Sequence, residues 1–186
     1  MMTPVMRLSQ YEKVTRYAAI GVISASLIGA VVCGLGYAAG LRINTTKSIP
    51  VGLYKISQKA PEKGDYVIFC PPEKAIFSWH RSAVTSAAAL SWGYGEMMKR
   101  ILAAKGDEVA FRDDGVYVNG QLLPYSKPLS ADPGGRKLPA IREVYTLGKS
   151  ELLLMTDRSA SSFDGRYFGA VTKSQIISTV LPVMTW

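Results

Sequence analysis

Ser48 lies in the stretch Asn44-Thr45-Thr46-Lys47-Ser48-Ile49-Pro50-Val51-Gly52-Leu53-Tyr54, between two conformational stops. Pro50 fixes its own φ and pushes Ile49 toward an extended conformation, while Gly52 admits φ values that other residues avoid. The spacing therefore predicts a stiff, exposed turn that presents the Ser48 hydroxyl. Hydroxyls in turns commonly bond nearby backbone, and one attacks a carbonyl only when a base removes its proton. Lys99 is the residue that would act as that base. It stands in the middle of Met97–Ala104, a strand by its alternation, which puts Met97, Lys99 and Ile101 on one face and Met98, Arg100 and Leu102 on the other. Apolar neighbours withdraw solvation from an ammonium and lower its pKa. Bringing a lysine from about 10.4 to about 7–8 takes roughly 3.5–5 kcal/mol at 1.36 kcal/mol per unit. A lysine in a strand also serves to protect a sheet edge, so this position alone leaves both readings open.

Other chemistries find fewer residues. The chain has a single histidine, His80, and two cysteines, Cys33 and Cys70. His80 sits beside Arg81 in an aromatic-rich insertion, and Cys70 is followed by two prolines, so neither forms a motif with a partner. Cys33 falls in an apolar segment and Cys70 in the polar part, which makes a disulfide between them geometrically unfavourable. A His/Cys metal site lacks ligands, and no cofactor is expected. Asp157 and Asp164 form a possible carboxylate pair, yet Arg158 and Arg166 lie close in sequence, and salt-bridged structural carboxylates are the commoner case. The net charge of +8 comes without a compact Lys/Arg run, so no nucleic-acid partner is expected.

The elements that must position Ser48 and Lys99 follow from the hydropathy pattern. Residues 1–16 are polar, and residues 17–41 carry no charge and read as a transmembrane helix, long enough at about 1.5 Å per residue to cross a core of about 30 Å. Basic residues before it favour a cytoplasmic N-terminal segment, and a cleavable signal peptide is the main competitor. Residues 42–186 then form an extracytoplasmic domain of short antiparallel strands: Leu53–Ser57, Tyr66–Cys70, Met97–Ala104, Glu108–Phe111, Val116–Val118, Gln121–Leu123, Ile141–Leu147, Glu151–Met155 and Arg166–Val171. Asp114-Gly115 and Asn119-Gly120 are hairpin signals. Residues 124–140 read as a surface loop, Thr156–Gly165 as a polar loop, and 73–95 as an aromatic insertion that is packed core, a lid or a patch touching lipid. Ser48 is only six positions beyond Arg42, at most about 20 Å of extended chain, so the candidate nucleophile is held near the bilayer.

Three separated motifs resemble the conserved boxes of type I signal peptidases. They are Ser48-Ile49-Pro50 after a membrane segment, Met98-Lys99-Arg100-Ile101 followed by Gly106-Asp107, and Thr156-Asp157 with Ser162-Phe163-Asp164-Gly165-Arg166-Tyr167-Phe168-Gly169. The longer run from Thr46 to Tyr54, with Phe69-Cys70-Pro71-Pro72, looks like the conjugative-transfer TraF branch of that family, and the likeness spans Tyr17 to Trp186. The resemblance implies a mostly β fold, an N-terminal anchor, and a Ser/Lys dyad with Ser48 as nucleophile and Lys99 as general base. It implies that Thr46 and the Ser48 N–H hold the oxyanion, that Ser162 orients the lysine amine, and that Asp164 and Arg166 form a supporting ion pair. Its substrates would be exported precursors cut after small residues, most specifically the pilin subunit of a type IV secretion system, matured and perhaps closed into a ring. Lipid is the other implied partner, with the protein in the bacterial inner membrane and its catalytic domain in the periplasm. General signal peptidases usually carry Met and Ser where this chain has Ile49 and Gly165, which points to a specialised branch. The alternatives are a non-enzymatic, membrane-anchored assembly factor of the same apparatus, a general signal peptidase, or a self-cleaving Ser/Lys regulator; the apolar segment argues against the last.

Overall fold

The computed structural model describes residues 4–71, 96–132 and 134–186, with side chains from residue 11 onward. The insertion at 73–95, and His80 with it, lies outside the described residues. The chain divides into two compact units, residues 1–41 and 42–186.

The first unit is helix α1, Pro4–Ala38. It starts well before Tyr17 and stops before Leu41, so it differs from the uncharged run at both ends. Its stop is local: Gly40 takes φ 84°, and the Ala39 and Gly40 N–H groups bond the carbonyls of Leu35 and Tyr37. A glycine in this left-handed position is the usual way to end a helix. Tyr11–Ala38 is long and apolar enough to cross a membrane. Its Ile20, Val22, Ile23, Leu27, Val31 and Leu35 are all exposed. A helix that is apolar all round and covered by no protein matches a hydrocarbon environment.

The second unit is built from two antiparallel sheets, as the alternating patterns imply. Its strands are β1 (Leu41–Asn44), β2 (Gly52–Ser57), β3 (Tyr66–Phe69), β4 (Met97–Ala103), β5 (Glu108–Arg112), β6 (Gly115–Val118), β7 (Gln121–Leu122), β8 (Val144–Thr146), β9 (Glu151–Met155), β10 (Val171–Thr172) and β11 (Ile176–Thr185). The larger sheet has the order β1-β2-β11-β3-β4-β9-β10, and the smaller β7-β6-β5-β8. Strand β9 explains how they pack. Leu152 and Leu154 join Val67, Phe69, Ile101 and Phe168 in one apolar cluster, whereas Leu153 and Met155 join Val109, Phe111, Val116 and Val118 in another. Both faces of β9 are buried, which is why Leu152-Leu153-Leu154-Met155 reads as a continuous apolar run rather than an alternating one. A buried leucine contributes about 1.5–3 kcal/mol, so β9 is a principal anchor of the domain.

Several segments differ from expectation: β1 is a strand where the apolar run was expected to end, and the expected strand Ile141–Leu147 is confined to Val144–Thr146. Arg166–Val171 is not a strand: Gly165–Phe168 forms a short helix α2, and only Val171–Thr172 extends as β10. The Asp164 carboxylate accepts the Arg166 N–H at 3.2 Å and caps the turn, while the Gly169 N–H returns to the Gly165 carbonyl at 2.8 Å. Capping won over the apparent alternation of Arg166, Tyr167 and Phe168. Strand β11 lies between β2 and β3 although it follows every other strand in sequence. Pro182 pairs opposite Tyr54 of β2, beyond the Ile176–Val180 stretch that pairs with β3, so its missing N–H breaks no bond on that side.

Candidate active site

The Ser48 turn is built mainly from backbone held by three buried side chains. Ile49 packs with Tyr54, Ile68 and Val180, and the Tyr54 hydroxyl donates to the Pro50 carbonyl at 2.6 Å. Asn44, at the end of β1, accepts from the Thr46 N–H and hydroxyl and donates to the Thr46, Ile49 and Pro50 carbonyls. Gly52 closes the turn at φ 153°, where a Cβ would collide with the Met184 carbonyl oxygen of β11. Ser48 is half-buried rather than exposed.

Strand β4 presents Lys99 opposite Val67 of β3. The lysine is 2% exposed, and its Nζ lies 2.6 Å from Ser48 Oγ and 2.8 Å from Ser162 Oγ. The two hydroxyl oxygens are 3.1 Å apart, so the three groups close a triangle of hydrogen-bonding distances. Burial pushes the Lys99 amine down from 10.5 to about 8; the Asp164 carboxylate pulls it up and the Arg166 guanidinium pushes it down, opposing each other. Desolvation is thus what poises the amine near neutrality. In its neutral form Nζ accepts the Ser48 Oγ–H proton while donating to Ser162.

Asp164 and Arg166 form a fully buried pair, Nε to Oδ1 at 2.8 Å and Nη2 to Oδ2 at 2.9 Å. The same guanidinium reaches the carbonyls of Tyr125 at 2.7 Å and Ala160 at 3.0 Å. It ties the 124–140 loop to the segment that carries Ser162. Gly165 fits here because a Cβ would meet Leu153 Cδ1 at 2.8 Å and the Leu154 carbonyl at 2.9 Å. Asp157 pairs with Arg100 at 2.7 Å, not with Arg158. Cys33 and Cys70 are both free thiols, and burial raises the Cys70 pKa, the opposite of an activated nucleophile. Among the described residues no His/Cys/Asp/Glu cluster could hold a metal.

Two clefts open on the Ser48–Lys99 pair. One, of about 350 Å³, is lined by Ile68, Met97 and Met98 with Arg42 and Glu96 among its polar residues. The other, of about 380 Å³, is lined by Lys47, Ser159, Ser161 and Phe163. An extended peptide carbonyl thus has a way to the hydroxyl from either side. All six residues singled out in the sequence converge: Ser48, Lys99 and Ser162 in mutual contact, Thr46 beside them, and Asp164–Arg166 beneath. Asn44 and Tyr54 were not singled out; Asn two residues before Thr is an Asx-turn pattern that was available to flag the first.

A profile of the signal peptidase family, peptidase S26, matches residues 14–186. The chain belongs to this peptidase family. The peptidase is 53% identical over 181 residues to a plasmid transfer protein TraF of Escherichia coli, covering 96% of this chain and all of the relative. It is 32% identical to a conjugal transfer protein TraF of Agrobacterium fabrum, covering 90% of this chain and 94% of that one. A crystal structure of a signal peptidase I from Enterococcus faecalis V583 overlaps with a TM-score of 0.40 at 22% identity, covering 67% of this peptidase and all of that chain.

Proposed function

We propose that the chain is a membrane-anchored serine endopeptidase that matures exported precursors, with the pilin subunit of a conjugative type IV secretion apparatus as its substrate. One observation carries the catalytic part: a buried lysine amine, lowered to about 8, lies 2.6 Å from the Ser48 hydroxyl. Neutral Lys99 takes the Ser48 proton as Oγ attacks the carbonyl carbon after a small residue. The Ser48 N–H and the Thr46 hydroxyl receive the developing oxyanion. The Lys99 ammonium then protonates the leaving amine nitrogen, the C–N bond breaks, and an acyl-Ser48 ester remains. Water, deprotonated by Lys99, attacks the ester and releases Ser48; a substrate amine in its place would close a ring. Ser162 holds Nζ on line through both proton transfers. Asp164 and Arg166 are supporting residues.

Membership of the signal peptidase family and the conjugal-transfer names of the full-length relatives support this reading. In it, residues 1–16 are cytoplasmic, the apolar segment at 17–41 is a single-pass anchor in the inner membrane, and residues 42–186 work in the periplasm. The test is the intact mass of the pilin subunit in cells carrying wild type, Ser48→Ala or Lys99→Ala at matched membrane levels. Accumulation of the longer precursor in both variants is expected. The same mature mass in all three would overturn the reading and favour the assembly-factor role.

A further inference from the structure

Asn44 makes more polar contacts to the Ser48 turn than any other described side chain, and the mechanism above does not use it. It is 4% exposed. Its Oδ1 accepts the Thr46 N–H at 3.1 Å and the Thr46 hydroxyl at 2.9 Å. Its Nδ2 lies 2.8 Å from the Thr46 carbonyl, 3.1 Å from that of Ile49 and 3.0 Å from that of Pro50. A carboxamide has two acceptor lone pairs and two donor hydrogens, so both ends are fully engaged, one donor being shared. Every bond ends on the five-residue span Thr46–Pro50 that holds Ser48. We infer that Asn44 is a positioning residue of the peptidase site, fixing the Ser48 turn through three carbonyls and setting the Thr46 hydroxyl from its Oδ1. The inference rests on the peptidase reading.

The chemistry of this arrangement is specific. The Thr46 N–H is committed to Asn44, so the group that Thr46 can offer an oxyanion is its hydroxyl. That hydroxyl rests with its proton on Oδ1, and a rotation about the C–O bond, with no movement of heavy atoms, brings it to the cleft. On the other side, Nδ2 draws the carbonyls of Thr46 and Pro50 toward one point, which sets the curvature of the turn across Ser48. Nothing else among the described contacts bonds the Ile49 carbonyl from a side chain. Displacing a nucleophile by about 1 Å costs on the order of 10²-fold in rate, and loss of this hub is expected to act through kcat.

The test uses the full-length protein in detergent micelles, with a quenched-fluorescence peptide carrying alanine at the cut and two residues before it. Wild type and Ser48→Ala are run first; no Ser48-dependent cleavage by wild type would sink the peptidase reading itself, separately from this inference. Asn44→Ala is expected to lower kcat by about 10²-fold with KM within threefold, and to leave the pH midpoint near 8, because Asn44 is not among the groups that shift Lys99. A general loosening of the fold would instead let water to Lys99 and move the midpoint up toward 10.5. Asn44→Ala,Thr46→Val is expected to be no slower than the worse single variant within a factor of three. If Asn44→Ala fails to fold, Asn44→Ser takes its place: it keeps an acceptor for the Thr46 N–H, loses the donors to the carbonyls, and is expected to lose about tenfold in kcat. An unchanged kcat, or a midpoint displaced upward with the rate restored at high pH, would overturn the assignment.

Discussion

Replacing or titrating Lys99 is the sharpest test of the chemistry, because the structure sets its size. With the amine at about 8, about one molecule in eleven carries a neutral Lys99 at pH 7, against about three in ten thousand for an unshifted lysine. The expected kcat/KM on a peptide free of titrating groups therefore rises about tenfold per pH unit below pH 7, about fivefold from pH 7 to 8, and less than twofold from pH 8 to 9. Stability follows the same shift with a defined sign. The native amine is lowered to about 8 from 10.5, so the unfolded chain binds more protons between those values and native stability rises with pH across that window. Below about pH 8 the full cost of holding the charge, about 3 kcal/mol, is present, and by pH 10 less than about 1 kcal/mol of it remains. Lys99→Met should thus be inactive yet up to about 3 kcal/mol more stable than wild type at pH 7 by chemical denaturation, an advantage that shrinks as pH rises. A rate profile flat from pH 6 to 9, or one with its midpoint near 10, would refute desolvation as the source of the base.

Three other substitutions probe the supports. Thr46→Val should lower kcat by on the order of 10²-fold with little change in KM, since one oxyanion donor contributes about 2.7–4 kcal/mol; an unaltered kcat would assign the oxyanion to other donors. Asp164→Asn leaves the fully buried Arg166 charge without its carboxylate and should cost about 3–5 kcal/mol of stability, read as a lowered denaturation midpoint. Gly52→Ala drives a Cβ into the Met184 carbonyl, and at this φ it should destabilise by more than about 1 kcal/mol, separating β2 from β11; a midpoint equal to wild type would show that the turn can give way.

The residues of the candidate site are more legible in the sequence than the architecture around them. Ser48 and Lys99 stand out because their neighbours have strong local preferences: Pro50 and Gly52 punctuate the turn, and alternation in Met97–Ala104 puts Lys99 on one face with Met97 and Ile101, although edge protection is equally open there. The 2% exposure of Lys99 is that alternation realised. Asn44 stayed hidden because its work is done on backbone atoms up to six residues away, and sequence types do not list carbonyls. It also follows directly on the apolar segment, where β1 reads as the helix running out. Strand β11 is a matter of topology: its partners β2 and β3 lie more than 100 residues earlier, and no local pattern encodes such pairing. Helix α2 reads as strand in the sequence because Arg166-Tyr167-Phe168 carries strand-like types, although the capping Asp164 and the stop at Gly169 flank it.

The place of β11 in the larger sheet has a consequence for timing. Strands β1 and β2 bracket the Ser48 turn, strand β4 holds Lys99, and among the described residues the ladder of the larger sheet joins the two halves through Ile176–Thr185. A ribosome releases Ser48 early and the connecting strand late, so during synthesis the Ser48 hydroxyl and the Lys99 amine lack the completed sheet. Long-range pairings of this kind close last. On the proposed peptidase reading, the site is therefore incomplete until Ile176–Thr185 has paired. For the same reason, on the proposed peptidase reading, a stop codon ahead of Ile176 is expected to remove activity although Ser48 and Lys99 would both still be present.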